Sequence, residues 1–297
     1  MHNIAVFGEF LYWRPRNSEI PYAVIQNSNL PVVNPPVQVS PIALTDHDYE
    51  PAFRAGFSVS LGTCSSVTVQ YTRFEATTAD AIDLTGFPGL GVFGMTLHPA
   101  QNTSSNATAA TASDFLSFDT IDADYRELLS YGPSHRINYV IGASYSNLEQ
   151  DFSASYINND TETVSTNINF DGAGLRLGLE MERYSRNRTM ITYCKALSTI
   201  LAGEFQASYL QGTGADPVIV QTAWEAGRIV PILEMEAGFG WQFHQGAYRL
   251  TAGYNFTSWF NTVKTQDWIN SVQTNNFNSL GDTMTFDGLV ARIEARF

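Results

Sequence analysis

The sequence predicts an all-β fold, a transmembrane antiparallel up-and-down β-barrel of about ten strands, with twelve as the alternative count if the two longest strands divide. Apolar and polar residues alternate with a period of two along several separate segments, as in strands with one apolar face. The polar set is rich in glycine, serine and charged residues, whereas the apolar set carries aromatics towards the strand ends. An apolar, aromatic-edged outside around a small and polar inside is typical of a barrel in an outer membrane.

The alternation recurs in six segments, which indicates several similar strands rather than a chance pattern in one segment. These segments are PAFRAGFSVSLG, RINYVIGASYS, GAGLRLGLEMER, PILEMEAGFGWQF, YRLTAGYNFT and the C-terminal DGLVARIEARF. In the C-terminal segment, Leu289 and Ile293 share the apolar set, and the chain closes on the aromatic Phe297. No stretch approaches the roughly 18 apolar residues that a membrane helix needs, so the membrane is expected to be crossed by strands.

Turn signals between the apolar segments divide the chain into ten strands in one barrel domain, residues 1–297. In the first strand we expect Ile4, Val6, Phe10 and Tyr12 to face outward and Glu9 inward. The expected strands cover residues 4–13, 52–62, 66–74, 118–131, 135–157, 164–184, 189–210, 219–243, 246–259 and the segment after 281.

The connections alternate between short and long, which predicts how the barrel is oriented. Those after the second, fourth, sixth and eighth strands are short, and long external loops are expected at about 14–50, 75–117 and 260–281. Outer-membrane barrels have short periplasmic turns and longer external loops, so both termini are expected in the periplasm. The fifth to eighth strands exceed the roughly ten residues that cross a bilayer, so that side should rise above the membrane.

The seventh strand breaks the pattern, because its apolar residues follow an ambiguous phase. With Tyr193 outward, Lys195 would also point outward, near an interface or at a bulge. Phe205 and Tyr209 continue in that phase, which would place Glu204 inward. In the fourth strand Glu127 poses the same difficulty, and closeness to the periplasmic edge is the simplest explanation.

The phase of the strands places a set of charged residues in the lumen. Opposite charges inside a barrel barely wider than the eight-stranded kind would meet as ion pairs and leave at most a thin water path. Alternatively, acidic and basic residues separated across the lumen would select small solutes. The expected pore-lining residues are Glu9, Arg54, Asp122, Asp124, Arg126, Arg136, Arg176, Glu180, Glu182, Glu204, Glu234, Glu236, Arg249, Arg292, Glu294 and Arg296.

Composition limits the other functional classes. The formal net charge of -13 argues against binding nucleic acid, which requires a basic surface. Met1 runs directly into strand-like sequence without a basic and apolar leader, so we expect a mature exported chain. Cys64 and Cys194 are too few for a disulfide framework and are read as free thiols or one disulfide. The pattern indicates no cofactor and no metal site.

Other motifs give weaker signals. GLGVFG, residues 89–94, matches a nucleotide-binding string but lies in a polar loop without the required strand and helix. The apolar residues around it are expected either to fold into the barrel mouth as a constriction or to form a subunit contact; they are Phe87, Leu90, Val92, Phe93 and Met95. A hydrolase would need a base at the outer rim, where only His47 and His98 are expected.

Five stretches of the chain resemble the family named for a Legionella major outer-membrane protein. They are FGEFLYWRPRNSEIPYAV, YEPAFRAGFSVSLG, FDGAGLRLGLE, VPILEMEAGFGW and FDGLVARIEARF. The resemblance spans nearly the whole chain, from about Phe7 to Phe297, and implies an outer-membrane barrel and pore formation. The terminal Phe297 is similar to the last-residue signal that the outer-membrane assembly machinery recognises.

We therefore expect a porin-like channel for passive diffusion of small hydrophilic solutes or ions. The alternatives are a closed structural or adhesive surface barrel with an ion-paired interior and, further off, an outer-membrane hydrolase. The expected partners are outer-membrane lipid and lipopolysaccharide, the barrel assembly machinery, and small solutes or ions. Homo-oligomerisation stays open.

Overall fold

Ten antiparallel strands close into a single barrel in the computed structural model, which describes residues 4–27, 37–87, 89–101, 107–278 and 280–297. This confirms the all-β class and the count of ten. The barrel strands are β1 (Ile4–Arg16), β4 (Glu50–Ser60), β5 (Ser65–Asp83), β7 (Ala109–Tyr131), β8 (His135–Ile157), β9 (Thr161–Tyr184), β10 (Met190–Thr213), β11 (Val220–Phe243), β12 (Tyr248–Thr262) and β13 (Asp282–Arg296).

The remaining elements lie in the long connections. A three-stranded sheet is formed by β2 (Ile20–Gln26), β3 (Ala43–Thr45) and β6 (Gly91–Gly94). The helix α1 (Thr265–Thr274) precedes β13, and short 3-10 turns occur at Pro99–Gln101 and His244–Gly246. Among the described residues, no helix is long and apolar enough to cross a membrane.

The barrel closes where the first strand meets the last. β1 pairs with β13, with Glu9 opposite Arg292, and on its other edge with β4, with Glu9 opposite Arg54. In the closed order, β7 and β12 are five strands apart in either direction, so they stand on opposite sides of the lumen. Ile4 and Phe297 lie beside the short turns, and we call this the short-turn end and the other the long-loop end.

The outer surface carries the apolar set predicted from the alternation. Ile4, Val6, Phe10 and Tyr12 are exposed while Glu9 is buried, as expected. On β9 the outward residues are apolar from 173 to 181 and polar from 161 to 171, so only part of this strand can face lipid. Strands β7 to β11 have 23 or 24 residues each, and this side therefore extends past the apolar band.

Tyrosine hydroxyls that donate to aspartates mark where that band ends on the outer surface. Tyr145 donates to Asp171 at 2.7 Å, and the same arrangement joins Tyr71 to Asp119 and Tyr254 to Asp287. Tyrosine suits this level because its ring is apolar and its hydroxyl is polar. The pairs recur around the barrel at the long-loop side of the band.

The long connections are shorter than predicted because the strands pair further. β5 and β7 stay in register from Ser65 opposite Glu127 to Asp83 opposite Ala109, which reduces the loop predicted at 75–117 to 84–108. The loop predicted at 14–50 contains β2 and β3, and the one predicted at 260–281 contains α1. The parts of the predicted loops at 28–36, 88, 102–106 and 279 lie outside the described residues.

The helix α1 covers the inner face of the tall side. Trp268, Ile269 and Val272 are buried at the spacing of one helix face, and the Trp268 Nε1 donates to the Ser208 carbonyl oxygen at 3.0 Å. The helix ends at Thr274 and is followed by Asn275, whose φ of 51° is left-handed, a common conformation for asparagine at a helix C-terminus. The interior of the long-loop half is therefore packed with side chains.

Candidate functional site

The centre of the lumen holds a buried network of charged side chains, which we call the ion layer. Each member is at most 6% exposed. The guanidinium of Arg54 lies 3.1 Å from Glu9 and 3.2 Å from Glu234, and that of Arg176 lies 2.8 Å from Glu234 and 3.0 Å from Asp122. The ion layer consists of Glu9, Arg54, Asp122, Asp124, Arg176, Glu234 and Glu236.

The strand alternation explains why these residues meet. Each lies on the inward set of its strand, and Arg54 on β4 reaches Glu234 on β11, which is not a neighbouring strand. A buried charge is tolerated only when paired, so charges projected from several strands converge on one another. The prediction of an ion-paired interior is the one that fits this geometry.

Inward glycines make room that neighbouring side chains fill. A Cβ placed on Gly142 would come within 2.4 Å of Asp124 Oδ1, and one on Gly172 within 2.5 Å of the Phe170 ring. The Phe170 ring also lies over Gly203, 2.7 Å from a Cβ built there. The absence of a side chain at these positions lets the charged and aromatic groups of adjacent strands pack; it does not leave an open channel beside them.

Five aromatic side chains span the lumen on the long-loop side of the ion layer, and we call them the aromatic layer. The Phe118 ring on β7 lies 5.5 Å from the Trp259 ring on β12, which stands opposite, and 4.9 Å from the Phe286 ring. The Arg54 guanidinium lies 5.9 Å from the Trp13 ring, so the two layers touch. The aromatic layer consists of Trp13, Phe74, Phe118, Trp259 and Phe286.

The sequence reasoning missed the aromatic layer, although a signal was present. Each ring falls on the inward set of its strand, near the long-loop end, as Trp13 does four residues after the lumenal Glu9. Extending the alternation to the strand ends would have placed these aromatics inside.

The small sheet and α1 close the mouth above the aromatic layer, and together they form the plug. The Gln273 Nε2 on α1 donates to the carbonyl oxygens of Met95 and Leu97 at 2.7 and 2.9 Å. From the barrel wall, the Tyr209 hydroxyl donates to the Thr96 carbonyl oxygen at 2.9 Å. Val92 is fully buried in β6. Of the two alternatives for this apolar segment, folding into the mouth is the one observed.

A cavity of about 320 Å³ lies below the ion layer and opens at the short-turn end. We call it the vestibule. Ion pairs line its wall, among them Arg126 with Glu180 at 3.1 Å and Arg296 with Glu294 at 2.6 Å. The predicted pore-lining residues found here are Arg126, Arg136, Glu180, Glu182, Arg249, Arg292, Glu294 and Arg296.

Glu204 and Tyr193 do not lie where the sequence placed them. β10 keeps one phase from end to end against β11 without a bulge, so its odd-numbered residues all point inward. Tyr193 is therefore 7% exposed rather than outward, and the Lys195 ammonium reaches Glu236 in the lumen at 3.1 Å. Glu204 is exposed on the outer face, where the Gln206 Nε2 donates to it at 2.9 Å.

The reason for the error is that β10 buries large apolar residues inside the barrel. Phe205 is fully buried against the Phe170 ring, 4.5 Å away, which an apolar-outside rule would place in lipid. Glu127 does lie on the outer face near the short-turn end, where the Tyr125 hydroxyl donates to it at 3.1 Å. The hydroxyl of Tyr139 also donates to this carboxylate.

Comparison with known proteins identifies the family. The family model described as the Legionella pneumophila major outer membrane protein precursor matches residues 2–289. The chain belongs to this family. No curated protein matches the chain by sequence.

Several solved structures are similar to this family member. The outer membrane protease OmpT from Escherichia coli is 10% identical, with a TM-score of 0.54, over 99% of this chain and 97% of that one. A TodX variant described as a monoaromatic hydrocarbon channel is 6% identical (TM-score 0.34, 100% and 91% covered). A Pseudomonas aeruginosa FadL homologue is 9% identical (TM-score 0.27, 99% and 90% covered). The OmpT likeness shows the barrel fold, and the family places the protein in the outer membrane.

His47, a candidate base for hydrolysis, has a structural partner in this member of the family. His47 is 1% exposed, and its Nε2 lies 2.7 Å from Asp114 Oδ2. Asp114 stands on the tall side beyond the apolar band, and burial raises the pKa of its carboxyl while the His47 hydrogen bond opposes that rise. Cys64 and Cys194 are exposed free thiols. Within the described part of the chain, no three His, Cys, Asp or Glu residues group as metal ligands.

Proposed function

We propose that the protein is a closed surface barrel of the outer membrane, with its short turns and both termini in the periplasm. The observation that carries this proposal is the contact between Phe118 and Trp259 across the full width of the lumen, at 5.5 Å between ring centroids. Rings at this spacing are in van der Waals contact and leave no path for a hydrated ion. The ion layer and the plug reinforce the closure on its two sides.

The ion layer supports closure for an electrostatic reason. Each of its guanidinium groups forms ion pairs with at least two carboxylates; Arg176, for example, pairs with Asp122 and Glu234. Arginine and carboxylate groups that pair in this way hold the strands at fixed separation, and Lys195 and Arg292 add two more cations to the network. The interior then supports the barrel shape, and the long-loop end is the part that meets the surroundings of the cell.

The proposal is tested by solute flux into liposomes that contain the refolded protein. We expect vesicles with the wild-type protein to swell no faster in small sugars than vesicles with heat-inactivated protein. A variant that lacks α1 and carries Trp259→Ala removes the helical part of the plug and one ring of the aromatic layer, and its vesicles should swell faster if the fold persists. Swelling of the wild-type vesicles at the rate of an open porin would contradict closure.

A porin-like channel for small hydrophilic solutes or ions is the second candidate, and the vestibule favours it. About 320 Å³ of charged cavity already enters the barrel from the short-turn end. For conduction, the plug and the aromatic layer would both have to move away from the axis. In that case a change at Arg54 or Arg176 would alter ion selectivity, because both would line the path.

We do not propose an enzymatic activity. His47 and Asp114 are buried together, where the imidazole has no access to a substrate, and a general base must lie within hydrogen-bond reach of its substrate. We further propose that the apolar band contacts outer-membrane lipid and lipopolysaccharide. Phe297, which is 69% exposed at the end of the last strand, serves in this proposal as the signal for the barrel assembly machinery.

A further inference from the structure

We propose that the vestibule is a binding site for a small organic or inorganic anion that carries several carboxylate or phosphate groups. The cavity is bounded by the inner faces of the barrel strands and by the turn at Gly62 and Thr63. Its lining combines six cationic side chains with three carboxylates, those of Glu180, Glu182 and Glu294. The cationic side chains are Arg126, Arg136, Lys195, Arg249, Arg292 and Arg296.

The three carboxylates are already engaged, so they leave cationic donors over. Glu180 lies 3.1 Å from Arg126, Glu182 lies 2.5 Å from Arg249, and Glu294 is shared by two arginines at 2.6 Å each. Arginine offers five N–H donors in a fork, and one carboxylate cannot occupy them all. Lys195 and Arg292 also pair with carboxylates of the ion layer. The cavity therefore keeps an excess of N–H donors rather than a large net positive charge.

Arg136 shows this excess most clearly. Within the part of the chain that the structure describes, its guanidinium has no carboxylate partner, and its Nε donates to the Asn138 side-chain oxygen at 3.0 Å. It stands opposite Glu182 in the pairing of β8 with β9, and Arg249 reaches the same glutamate from β12. The Arg249 Nε is buried without an acceptor. Two arginines with spare donors therefore flank one carboxylate on the cavity wall.

This arrangement selects planar or tetrahedral oxyanions. The guanidinium fork matches two oxygens of a carboxylate or a phosphate at once, and about 320 Å³ is at the lower end of small-molecule sites. The glutamates that are paired with arginines repel a monovalent anion, but they leave N–H donors of the arginines available. A small polyvalent anion gains more from several forks than a monovalent ion does.

Isothermal titration calorimetry on the full chain in neutral detergent tests the proposal, with citrate and inorganic pyrophosphate as separate probes. Arg136→Gln removes the spare fork without breaking an ion pair, and we expect it to weaken binding about tenfold or more. Arg183→Gln is the matched control, because Arg183 lies on the same end of the barrel but is exposed outside it. That variant should bind like the wild type.

Saturable binding of either probe, if it is weakened in the Arg136→Gln variant, supports the site and identifies which oxyanion the site binds. Arg136→Lys keeps the charge without the fork, so its affinity for the probe should lie between those of the wild type and of Arg136→Gln. It is measured in place of Arg136→Gln if that variant does not refold. The absence of saturable binding of both probes would overturn the proposal. Equal weakening by Arg183→Gln would also overturn it, because the effect would then come from the general charge of this end.

Discussion

Removal of Arg54 tests whether the interior is dry and paired. Its guanidinium is 5% exposed and bridges Glu9 and Glu234, and its Nε donates to the Thr72 hydroxyl at 2.9 Å. Arg54→Met keeps the unbranched stem of the side chain as far as the position of Nε and removes the charge. The two glutamates then lose one partner each inside the barrel.

The expected cost follows from what each carboxylate retains. Breaking a buried ion pair usually costs about 3–5 kcal/mol, because a charge is left uncompensated. Glu9 keeps Arg292 at 2.9 Å and Glu234 keeps Arg176 at 2.8 Å, so we expect the lower end, about 3 kcal/mol. In a water-filled lumen the same contact would be worth only about 1 kcal/mol.

Urea unfolding of the refolded barrel in lipid vesicles, followed by tryptophan fluorescence, measures this difference. Arg73→Met is the control, since Arg73 lies one position away on the paired strand, but on the outer surface beside Glu75. We expect Arg73→Met to change the free energy of unfolding little. A loss of about 1 kcal/mol or less for Arg54→Met would refute the closed, ion-paired interior.

Three further predictions concern the aromatic layer, the plug and the orientation. Trp259→Ala should lower the free energy of unfolding by about 3–5 kcal/mol, whereas Phe260→Ala, next to it on the outer surface, should lower it less. Lys264 donates to Asp282 and lowers the pKa of that carboxyl, so this ion pair is present above about pH 4 and is lost as the pH falls through the lowered pKa. The rate of amide hydrogen exchange in α1 should therefore rise as the pH falls through that range. Asp282→Asn should abolish this pH dependence. An impermeant maleimide should label Cys64 only after the outer membrane is permeabilised, and labelling in intact cells would reverse the orientation.

The barrel could be predicted from the sequence because its main determinant is local. Alternation along one strand fixes which residues face lipid, and Phe10 against Glu9 is enough to orient β1. The turn signals also predicted the strand count, because pairing between strands that follow one another in the sequence does not depend on distant parts of the chain. The lumenal positions of Arg54, Arg176 and Glu234 followed from the same rule.

The closure could not be predicted in this way, because it depends on contacts between distant parts of the chain. The meeting of Phe118 and Trp259 requires strands on opposite sides of the barrel, and the packing of Trp268 on the tall wall requires α1 to fold inward. Glu204 was misplaced because the rule of an apolar outside fails above the membrane. There the outer face is polar and the inner face, with Phe205, is an ordinary apolar core.

Single-channel conductance in a planar lipid bilayer tests the closed lumen most directly. The protein would be refolded in detergent and inserted, with protein inactivated by boiling as the control and insertion verified by recovery from the bilayer lipid. The account predicts that the folded wild-type barrel gives no discrete current steps. Steps that are stable in voltage and absent from the boiled control would contradict it, and would show that a continuous water path passes the aromatic layer.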